Sequence, residues 1–368
     1  MNKVLSRLVL SVCIFFLGGK VYADLLPPQG YYLASTIKFK NKGNAVNCPD
    51  VNVYAGDLKI PSKYLQSIKS KDVIDELNEA KYKEMVQPML VLQSLSSSIT
   101  DRMFKGKSVK QDLQCLDKHW MAWAKQNALL QPTTDSIGKA IRKWTLAAIS
   151  SNYLKIKSNL SIDDRMSDAD QQVFENWLMQ MAVLVMQDYS NRSQEQINNH
   201  DYWAAWSVMA TSVILNRQDM FDWSCSVYEN AMTQIDSQGA LPNELKRQSR
   251  ALLYHNFSLQ PLVLMAAFID ANGKSYLAKN LGALERLANF VIRNIDDNSE
   301  IVRLSGSSQV SDSLRINNRL AWLAPYISTY SKAELLPIVN SLSSLRMSRM
   351  GGDVNYIYLR EELNLVDK

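Results

Sequence analysis

The chain has 368 residues, 46% of them hydrophobic and 21% charged, and its formal net charge at neutral pH is +5. This near-neutral balance does not favour a nucleic-acid partner held by a bulk field, so any attraction to a polyanion must be local. The sequence has three histidines, none at the spacing of a helical metal site, and it has neither a Gly-rich phosphate loop nor a Gly-x-Ser-x-Gly motif. We therefore expect no metal and no cofactor.

The N-terminal residues 1–23 have the features of a secretory signal peptide. Lys3 and Arg7 precede the apolar run 8–17, and Val21-Tyr22-Ala23 forms a small-x-small cleavage site. The run is too short to span a bilayer, although an uncleaved anchor is the alternative. Cleavage after Ala23 removes three basic residues and no acidic ones, which leaves a formal charge of +2 on residues 24–368. We expect these residues to form a single domain in an oxidising periplasm, without a membrane partner.

The remaining sequence predicts an all-α fold. After an irregular arm rich in Pro, Gly, Asn and Tyr, strand-like alternation is limited to short pieces such as 354–359. Helices are predicted at about 72–104, 108–128, 135–157, 167–190, 199–214, 217–236, 243–271, 274–296, 312–330 and 332–345. Short connections imply antiparallel hairpins, which form a ring, an α/α toroid, in a domain of this length. The absence of a fixed-period repeat disfavours the alternative, an open solenoid.

Two polar blocks, about forty residues apart, interrupt the apolar helical pattern. The first runs from Ile197 to Trp206 and contains Asn199 and His200, while the second runs from Leu241 to Asn256 and contains Arg247 and Tyr254. Together they offer an amide, an imidazole, a guanidinium and a phenol. This set suits proton abstraction next to a carboxylate, and it favours a lyase that acts on a uronic acid.

The position of each group supports this chemistry, but each also has a structural alternative. Asn199 and His200 lie where a helix is expected to begin, an end that attracts anions. Asn198 or Asn199 could instead be the helix N-cap, and Asn199 taken alone is better explained as the cap. Arg247 and Tyr254 are seven residues apart, which places them on one helix face about 10 Å apart. The arginine is expected to lower the phenol pKa, so that a tyrosinate becomes a usable base. A half-buried core position is the alternative for Tyr254.

Other conspicuous residues are interpreted as structural. His119 and His255 are expected to pack or to hydrogen-bond internally, and Trp203 and Trp206 fit a helix core better than a sugar-stacking surface. Cys225 falls on an apolar helical pattern that predicts a buried free thiol. Three groups of basic residues have solvated helix faces as the alternative to a substrate site: Lys63, Lys69 and Lys71; Arg142 and Lys143; Lys246, Arg247 and Arg250.

The two blocks make the sequence resemble a known family. It closely resembles the periplasmic alginate lyases of polysaccharide lyase family five, the mannuronate-preferring enzymes encoded with bacterial alginate biosynthesis. The similarity extends from Leu26-Pro27-Pro28-Gln29-Gly30-Tyr31-Tyr32 to Gly351-Gly352-Asp353-Val354. It implies that residues 24–368 form one catalytic domain, an incomplete α/α toroid with a tunnel-like cleft, acting on alginate as a monomer without metal.

The resemblance also implies roles for individual residues. Asn199, His200 and Arg247 would neutralise the substrate carboxylate and Tyr254 would protonate the leaving oxygen, while either His200 or Tyr254 would remove the C5 proton. In mannuronate the proton and the leaving group lie on the same side, so one tyrosine could perform both transfers. Further substrate contacts fall on a mobile lid and on two other positions: Ser62, Lys63, Tyr64, Ser136, Ile137 and Arg349.

A disulfide and three departures complete the comparison. The cysteines that pair in relatives fall on Cys48 and Cys115, and such a bridge would add about 4 kcal/mol of stability. Ser136-Ile137 replace a His-Thr of relatives, Ala324 replaces a glutamate, and the nearly neutral stretch 305–318 replaces an acidic one. These departures concern substrate preference and affinity, because the four catalytic positions are intact.

Three functions compete on this sequence. The leading hypothesis is a lyase that depolymerises alginate at mannuronate residues by β-elimination. A second is a non-catalytic alginate-binding component of a periplasmic export assembly, in which the secretion machinery is a partner. The third, a hydrolase with two carboxylates on the same toroid, is disfavoured because the polar blocks contain no acidic pair.

Overall fold

A computed structural model of the chain describes residues 23–33, 37, 39, 43–68, 70–161, 166–310, 314–316 and 318–365. The predicted signal peptide lies outside this part except for Ala23, as does Lys69. The helices, numbered in chain order, are α1 Glu76–Phe104, α2 Lys110–Lys125, α3 Ser136–Lys157, α4 Asp168–Tyr189, α5 Asn199–Leu215, α6 Gln218–Gln234, α7 Pro242–Leu245, α8 Ala251–Ala271, α9 Ser275–Lys279, α10 Ala283–Arg293, α11 Ser299–Ser305, α12 Leu323–Tyr330, α13 Leu336–Asn340 and α14 Asn355–Tyr358. Two short strands, β1 Arg346–Met347 and β2 Gly352–Asp353, pair antiparallel.

The long helices form two layers. Helices α1, α3, α5, α8 and α12 pack side by side in chain order and form the inner layer, while α2, α4 and α6 lie outside them. Between α12 and α1 the C-terminal segment 346–358 takes the place of a further hairpin, because β2 lies against α1 and α14 lies against α12. The predicted all-α fold, an incomplete α/α toroid of antiparallel hairpins, is therefore confirmed.

Side-chain caps explain why the inner helices begin where they do. The carboxylate of Asp75 accepts a hydrogen bond from the backbone N–H of Asn78, and that of Asp135 accepts from the N–H groups of Ile137 and Gly138. At α5 the cap is Asn198, whose side chain accepts from the N–H of His200. Such caps satisfy N–H groups that the helix itself leaves unpaired. They also fix the inner helix ends that face the functional cleft.

Several predicted helices are interrupted in the structure. The predicted helix 243–271 is broken between α7 and α8, where Gln248 has a φ of +49°. The prediction 274–296 is broken at Asn280, Leu281 and Gly282, all with positive φ. Among the described residues, α12 is the one helix within 312–330, and α13, preceded by a short 3-10 turn, is the one helix within 332–345. The piece 354–359, predicted as strand-like, contains α14. Periodic apolar spacing missed these breaks because it continues across them.

The interior is assembled from the apolar faces of the inner layer. Trp203 and Trp206 on α5 are fully buried, which confirms their interpretation as core residues. By length and composition alone, the segment Gln248–Ala271 is apolar enough to cross a membrane. However, 83% of its most apolar window is buried inside the protein, as expected for the central helix of a core.

The irregular N-terminal arm is fastened to the toroid at several points. Cys48 and Cys115 form the predicted disulfide, with Cα atoms 5.9 Å apart and a sequence separation of 67. Leu58 and Ile60 are buried, and the carbonyl of Leu58 passes so close to Gly138 that a Cβ there would lie 2.0 Å from it. A side chain at 138 would push the arm away from α3. The arm therefore enters the cleft region at a fixed place.

Candidate active site

The predicted site residues line one cleft of about 740 Å³. Asn199, His200, Arg247 and Tyr254 all face it, as do Ser62, Lys63, Tyr64, Ser136, Ile137 and Arg349. Eight basic side chains line it: Lys63, Lys71, Lys139, Arg192, Arg247, Arg250, Arg319 and Arg349. Among the described lining residues Asp188 is the one carboxylate, and Lys139 and Arg142 pair with it at 3.1 and 2.8 Å. The attraction for a polyanion is thus local, as the near-neutral total charge requires.

The amide of Asn199 is held from behind by a buried carboxylate. Its Nδ2 and its backbone N–H both donate to Oε1 of Glu244, at 2.9 and 2.7 Å. Because Asn198 is the cap of α5, the cap interpretation is wrong for Asn199, which occupies the first helical position. Its Oδ1 is buried and has no hydrogen-bond partner among the described residues. No role was predicted for Glu244, although it lies inside the second polar block.

The imidazole of His200 is held by the amine of Lys143. Nζ of Lys143 lies 2.9 Å from Nδ1 of His200 and donates to the His200 carbonyl at 2.8 Å. Burial, together with the charges of Lys143 and Arg247, holds the pKa of His200 well below its ordinary value. The ring is therefore neutral at neutral pH.

Arg142 and Lys143 do not form a solvated helix face, because both side chains are buried. The signal was present in the sequence: Lys143 lies three residues after Ala140 and four before Ala147, on the apolar face of α3.

Arg247 and Tyr254 meet without sharing a helix. Arg247 lies in the turn between α7 and α8 rather than on the predicted continuous helix. Its guanidinium carbon nevertheless lies 3.7 Å from the centroid of the Tyr254 ring, much closer than the predicted separation along one helix face. Nη2 of Arg247 also donates to the carbonyl of Lys71 at 2.9 Å. The predicted proximity is confirmed, but the helical spacing offered for it is wrong.

The hydroxyl of Tyr254 lies 3.3 Å from that of Tyr64. Burial raises the pKa of Tyr254 above its ordinary value and the charge of Arg247 only partly opposes this, so our expectation of a lowered pKa is wrong. Burial also raises the pKa of Tyr64, but the charge of Lys63, the hydrogen bond with Tyr254 and two nearby arginines outweigh it, and the net pKa lies below the ordinary value. Tyr254 is therefore the harder of the two hydroxyls to ionise, and either hydroxyl can donate in the bond between them.

Residues 62–68 and 70–75, which we call the lid, lie across the cleft and are attached to the second polar block. Ser249 donates to the carboxylate of Asp72 at 2.7 Å, and Nε of Arg250 donates to the Asp72 carbonyl at 2.9 Å. A bridge between Tyr64 and Ile74 joins the two ends of the lid. The segment that carries Ser62, Lys63 and Tyr64 is therefore closed over Tyr254 in this structure.

Arg349 enters the cleft from the C-terminal segment. Its guanidinium carbon lies 4.2 Å from the centroid of the Trp144 ring, and its carbonyl accepts a hydrogen bond from Nε1 of Trp206 at 3.0 Å. Burial lowers the pKa of Arg349 to about 10, which leaves the side chain charged at neutral pH. No carboxylate pairs with it among the described residues. It is a stacked cation available to an anionic ligand.

The remaining histidines and the free cysteine are structural, as predicted. His255 is buried, and burial lowers its pKa to about 4. Its Nε2 accepts a hydrogen bond from the N–H of Leu241, and its Nδ1 contacts the carbonyl of Ala251. His119 contacts the carbonyl of Pro49 beside the disulfide. It is near both bridged sulfurs, but these are bonded to each other rather than free to bind a metal. Burial raises the pKa of the Cys225 thiol to about 12.

Comparison with known proteins agrees with this fold and cleft. A sequence model described as alginate lyase matches residues 59–301. The chain is 36% identical over 342 residues to an alginate lyase of Pseudomonas paraeruginosa, covering 92% of each chain. It is 34% identical over 361 residues to an alginate lyase of Cobetia marina, covering 97% of this chain and 96% of the relative. The chain belongs to the alginate lyase family.

Two solved structures share the fold. A form of alginate lyase A1-III complexed with a tetrasaccharide superposes with a TM-score of 0.74 at 19% identity, covering 86% of this chain and 88% of the other. Alginate lyase A1-III from Sphingomonas species A1 superposes with a TM-score of 0.67 at 18% identity, covering 91% and 89%. At these identities the superpositions establish the α/α toroid and no more.

Proposed function

We propose that this protein depolymerises alginate by β-elimination at mannuronate residues. The observation that carries the proposal is the meeting of Asn199, His200, Arg247 and Tyr254 in one cleft with eight basic lining residues and one neutralised carboxylate. A uronate polymer presents one carboxylate per sugar, which such a cleft attracts at close range. The relatives named alginate lyase support the choice of alginate among polyuronates.

Elimination requires that the C5 proton become acidic. Asn199, His200 and the guanidinium of Arg247 lie on the side of the cleft where α5 begins and α7 ends. Hydrogen bonds and positive charge at the substrate carboxylate stabilise the negative charge that develops when the C5 proton leaves. The charge on Arg247 remains available to the substrate carboxylate, because the one hydrogen bond that the Arg247 side chain makes among the described residues is to a backbone carbonyl.

The proton transfers fall to Tyr254. The C5–H electron pair forms the C4=C5 double bond, the C4–O4 bond breaks, and O4 takes a proton. When Tyr254 is ionised it can accept the C5 proton and then give it to O4, so its protonation state is the same before and after. The product is an oligosaccharide with a 4-deoxy unsaturated uronate at its non-reducing end. His200 is the alternative base.

The structure also bears on the two competing functions. Hydrolysis by a pair of carboxylates is disfavoured, since Asp188 is the one carboxylate among the described lining residues and is bound by two cations. A non-catalytic component of an alginate export assembly would have no need for a buried phenol beside an arginine. The positions of Tyr64 and Tyr254 therefore favour the enzyme.

We further propose that residues 1–23 are a cleaved signal peptide and that the mature domain works as a monomer in the periplasm, in contact with alginate and, during export, with the secretion machinery. The Cys48–Cys115 disulfide supports an oxidising compartment.

The deciding experiment follows ultraviolet absorbance and reducing ends together. Mature protein is incubated with polymannuronate or polyguluronate. Elimination creates a conjugated unsaturated uronate, so absorbance and reducing ends should rise in parallel, faster on polymannuronate. Reducing ends without absorbance would indicate a hydrolase. Binding without either would indicate the export component, and equal rates on both polymers would refute the mannuronate preference.

A further inference from the structure

The strongest unassigned feature is the buried amine of Lys143, which stands directly behind His200. Its side chain is fully buried on α3. Nζ contacts three atoms: the hydroxyl of Tyr189 at 2.8 Å, Nδ1 of His200 at 2.9 Å and the carbonyl of His200 at 2.8 Å. An ammonium has three N–H donors. The three contacts therefore match a protonated lysine that donates to each of them.

The same hydrogen-bond direction follows if the amine is neutral. A neutral amine donates twice and accepts once, and the His200 carbonyl can only accept. The Tyr189 hydroxyl makes no other hydrogen bond among the described residues. It therefore donates its proton to Nζ. The second N–H of the lysine then remains for Nδ1 of His200. In both charge states Nδ1 is an acceptor.

Charges on the neighbouring helices do not reverse this conclusion. Burial holds the pKa of Lys143 well below its ordinary value, Asp201 on α5 and Asp188 at the end of α4 favour the ammonium, and Arg192 and Arg349 oppose it. Asp201 is itself bound by Arg192 at 2.9 Å, and Asp188 by Lys139 and Arg142. No carboxylate competes for the imidazole among the hydrogen bonds of the described residues. The imidazole proton therefore belongs on Nε2, which has no partner in the described part of the chain.

We propose that Lys143 is a positioning residue that donates to Nδ1 of His200 and thereby keeps the imidazole proton on Nε2, so that His200 serves the substrate carboxylate as a neutral hydrogen-bond donor and not as the base. This inference rests on the proposed elimination and deepens it. Of the two candidate bases, it leaves Tyr254 to accept the C5 proton. It also assigns a function to a lysine whose burial would otherwise only cost stability.

The test begins with the protonation of the ring, which does not depend on activity. Mature protein labelled with ¹⁵N at histidine is studied by NMR, and the His200 signals are assigned by their loss in His200→Gln. We expect a neutral ring with its proton on Nε2 at pH 7. In Lys143→Met the ring should populate the Nδ1-protonated form, and its pKa should rise towards about 6.5 because a neighbouring amine has been removed. Tyr228→Phe is the matched control, since its buried hydroxyl donates to the carbonyl of Ala278 and does not contact Lys143 or His200, so it should keep the tautomer.

Kinetics supply the second readout. Lys143→Met should lose about tenfold to a hundredfold in kcat/KM, the range for one hydrogen bond to a charged group. It should also gain an acidic limb near pH 6.5 in its pH profile as the imidazole titrates. A proton on Nδ1 in the wild-type protein would overturn the proposal, as would an unchanged tautomer in Lys143→Met.

If Lys143→Met does not fold, the wild-type spectrum alone decides. Absence of lyase activity, by contrast, would overturn the proposed function while the tautomer measurement still stood.

Discussion

The guanidinium carbon of Arg247 lies 3.7 Å from the ring centroid of Tyr254, although the helix between the two residues is interrupted at Gln248. The same arginine donates to the carbonyl of Lys71 in the lid. One side chain therefore contacts both the phenol and the lid. In this arrangement burial of the phenol raises the pKa of Tyr254.

Tyr254→Phe should abolish most turnover and leave the fold intact. The change deletes one oxygen, whose hydrogen-bond partner in the described structure is the Tyr64 hydroxyl. Loss of a positioned acid or base costs about 10²–10⁴ in rate. The measurement is kcat on polymannuronate, together with a thermal melt.

Tyr228→Phe is the matched control, because its hydroxyl is buried away from the cleft and donates to the carbonyl of Ala278. That variant should lose about 1 kcal/mol of stability and no kcat. Near-normal turnover in Tyr254→Phe would make Tyr254 a packing residue.

The pH profile tests whether ionised Tyr254 is the base. Because burial raises its pKa above the ordinary value, only a small fraction is ionised at neutral pH. The value of kcat/KM should therefore rise about tenfold per pH unit on the alkaline side. If Tyr254 acted only as an acid with His200 as base, the alkaline side would be flat or falling.

Stability limits the pH range in which this test is valid. A tyrosine whose folded pKa is raised stabilises the protein below the unfolded pKa of about 10, and this contribution is lost as pH rises above that value. Tyr202 and Tyr358 are also buried with raised pKa values, so they add to the loss. The profile should be recorded below pH 10, with circular dichroism at each pH to confirm the fold.

The disulfide should contribute measurably to stability. Closing a loop of 67 residues between Cys48 and Cys115 corresponds to about 4 kcal/mol on the chain-entropy model. Reduction should lower the Tm, and Cys48→Ser should match the reduced wild-type protein. Cys225→Ala should still respond to reduction, since that thiol is buried and unpaired. Three reactive thiols in denatured, unreduced mature protein would contradict the bridge; one is expected.

Sequence patterns predicted which residues form the site but not how those residues are buried and paired. Asn199, His200, Arg247 and Tyr254 were predicted from their chemistry, and the structure brings them together in one cleft. The pKa of Tyr254 was predicted with the wrong sign, because a sequence shows the nearby arginine but not the burial that outweighs it. For Lys143 the sequence left a solvated face and a substrate site as alternatives, since its partners come from α4 and α5 and no local pattern links them. The breaks around Gln248 and Leu281 were missed because left-handed non-glycine residues leave no strong signal.

The lid should act in both binding and turnover. Lys63 lines the cleft close to Tyr64, with Nζ 5.2 Å from the ring centroid, and its segment is held across the cleft by Ser249 and Arg250. Lys63→Ala should raise KM and lower kcat, because closure both binds the polyanion and orients it against Tyr254. Raising the salt concentration should weaken wild-type binding more than that of the variant, since it screens partly exposed charges.

Lys59→Ala is the matched control for the lid. It removes a lysine four positions away whose side chain is 84% exposed and pairs with Asp57, so both kinetic constants should stay at wild-type values. The measurement is initial rate against polymannuronate concentration at low and high ionic strength. If Lys63→Ala behaves like Lys59→Ala at every ionic strength, Lys63 does not touch the substrate and the lid has no role in the reaction.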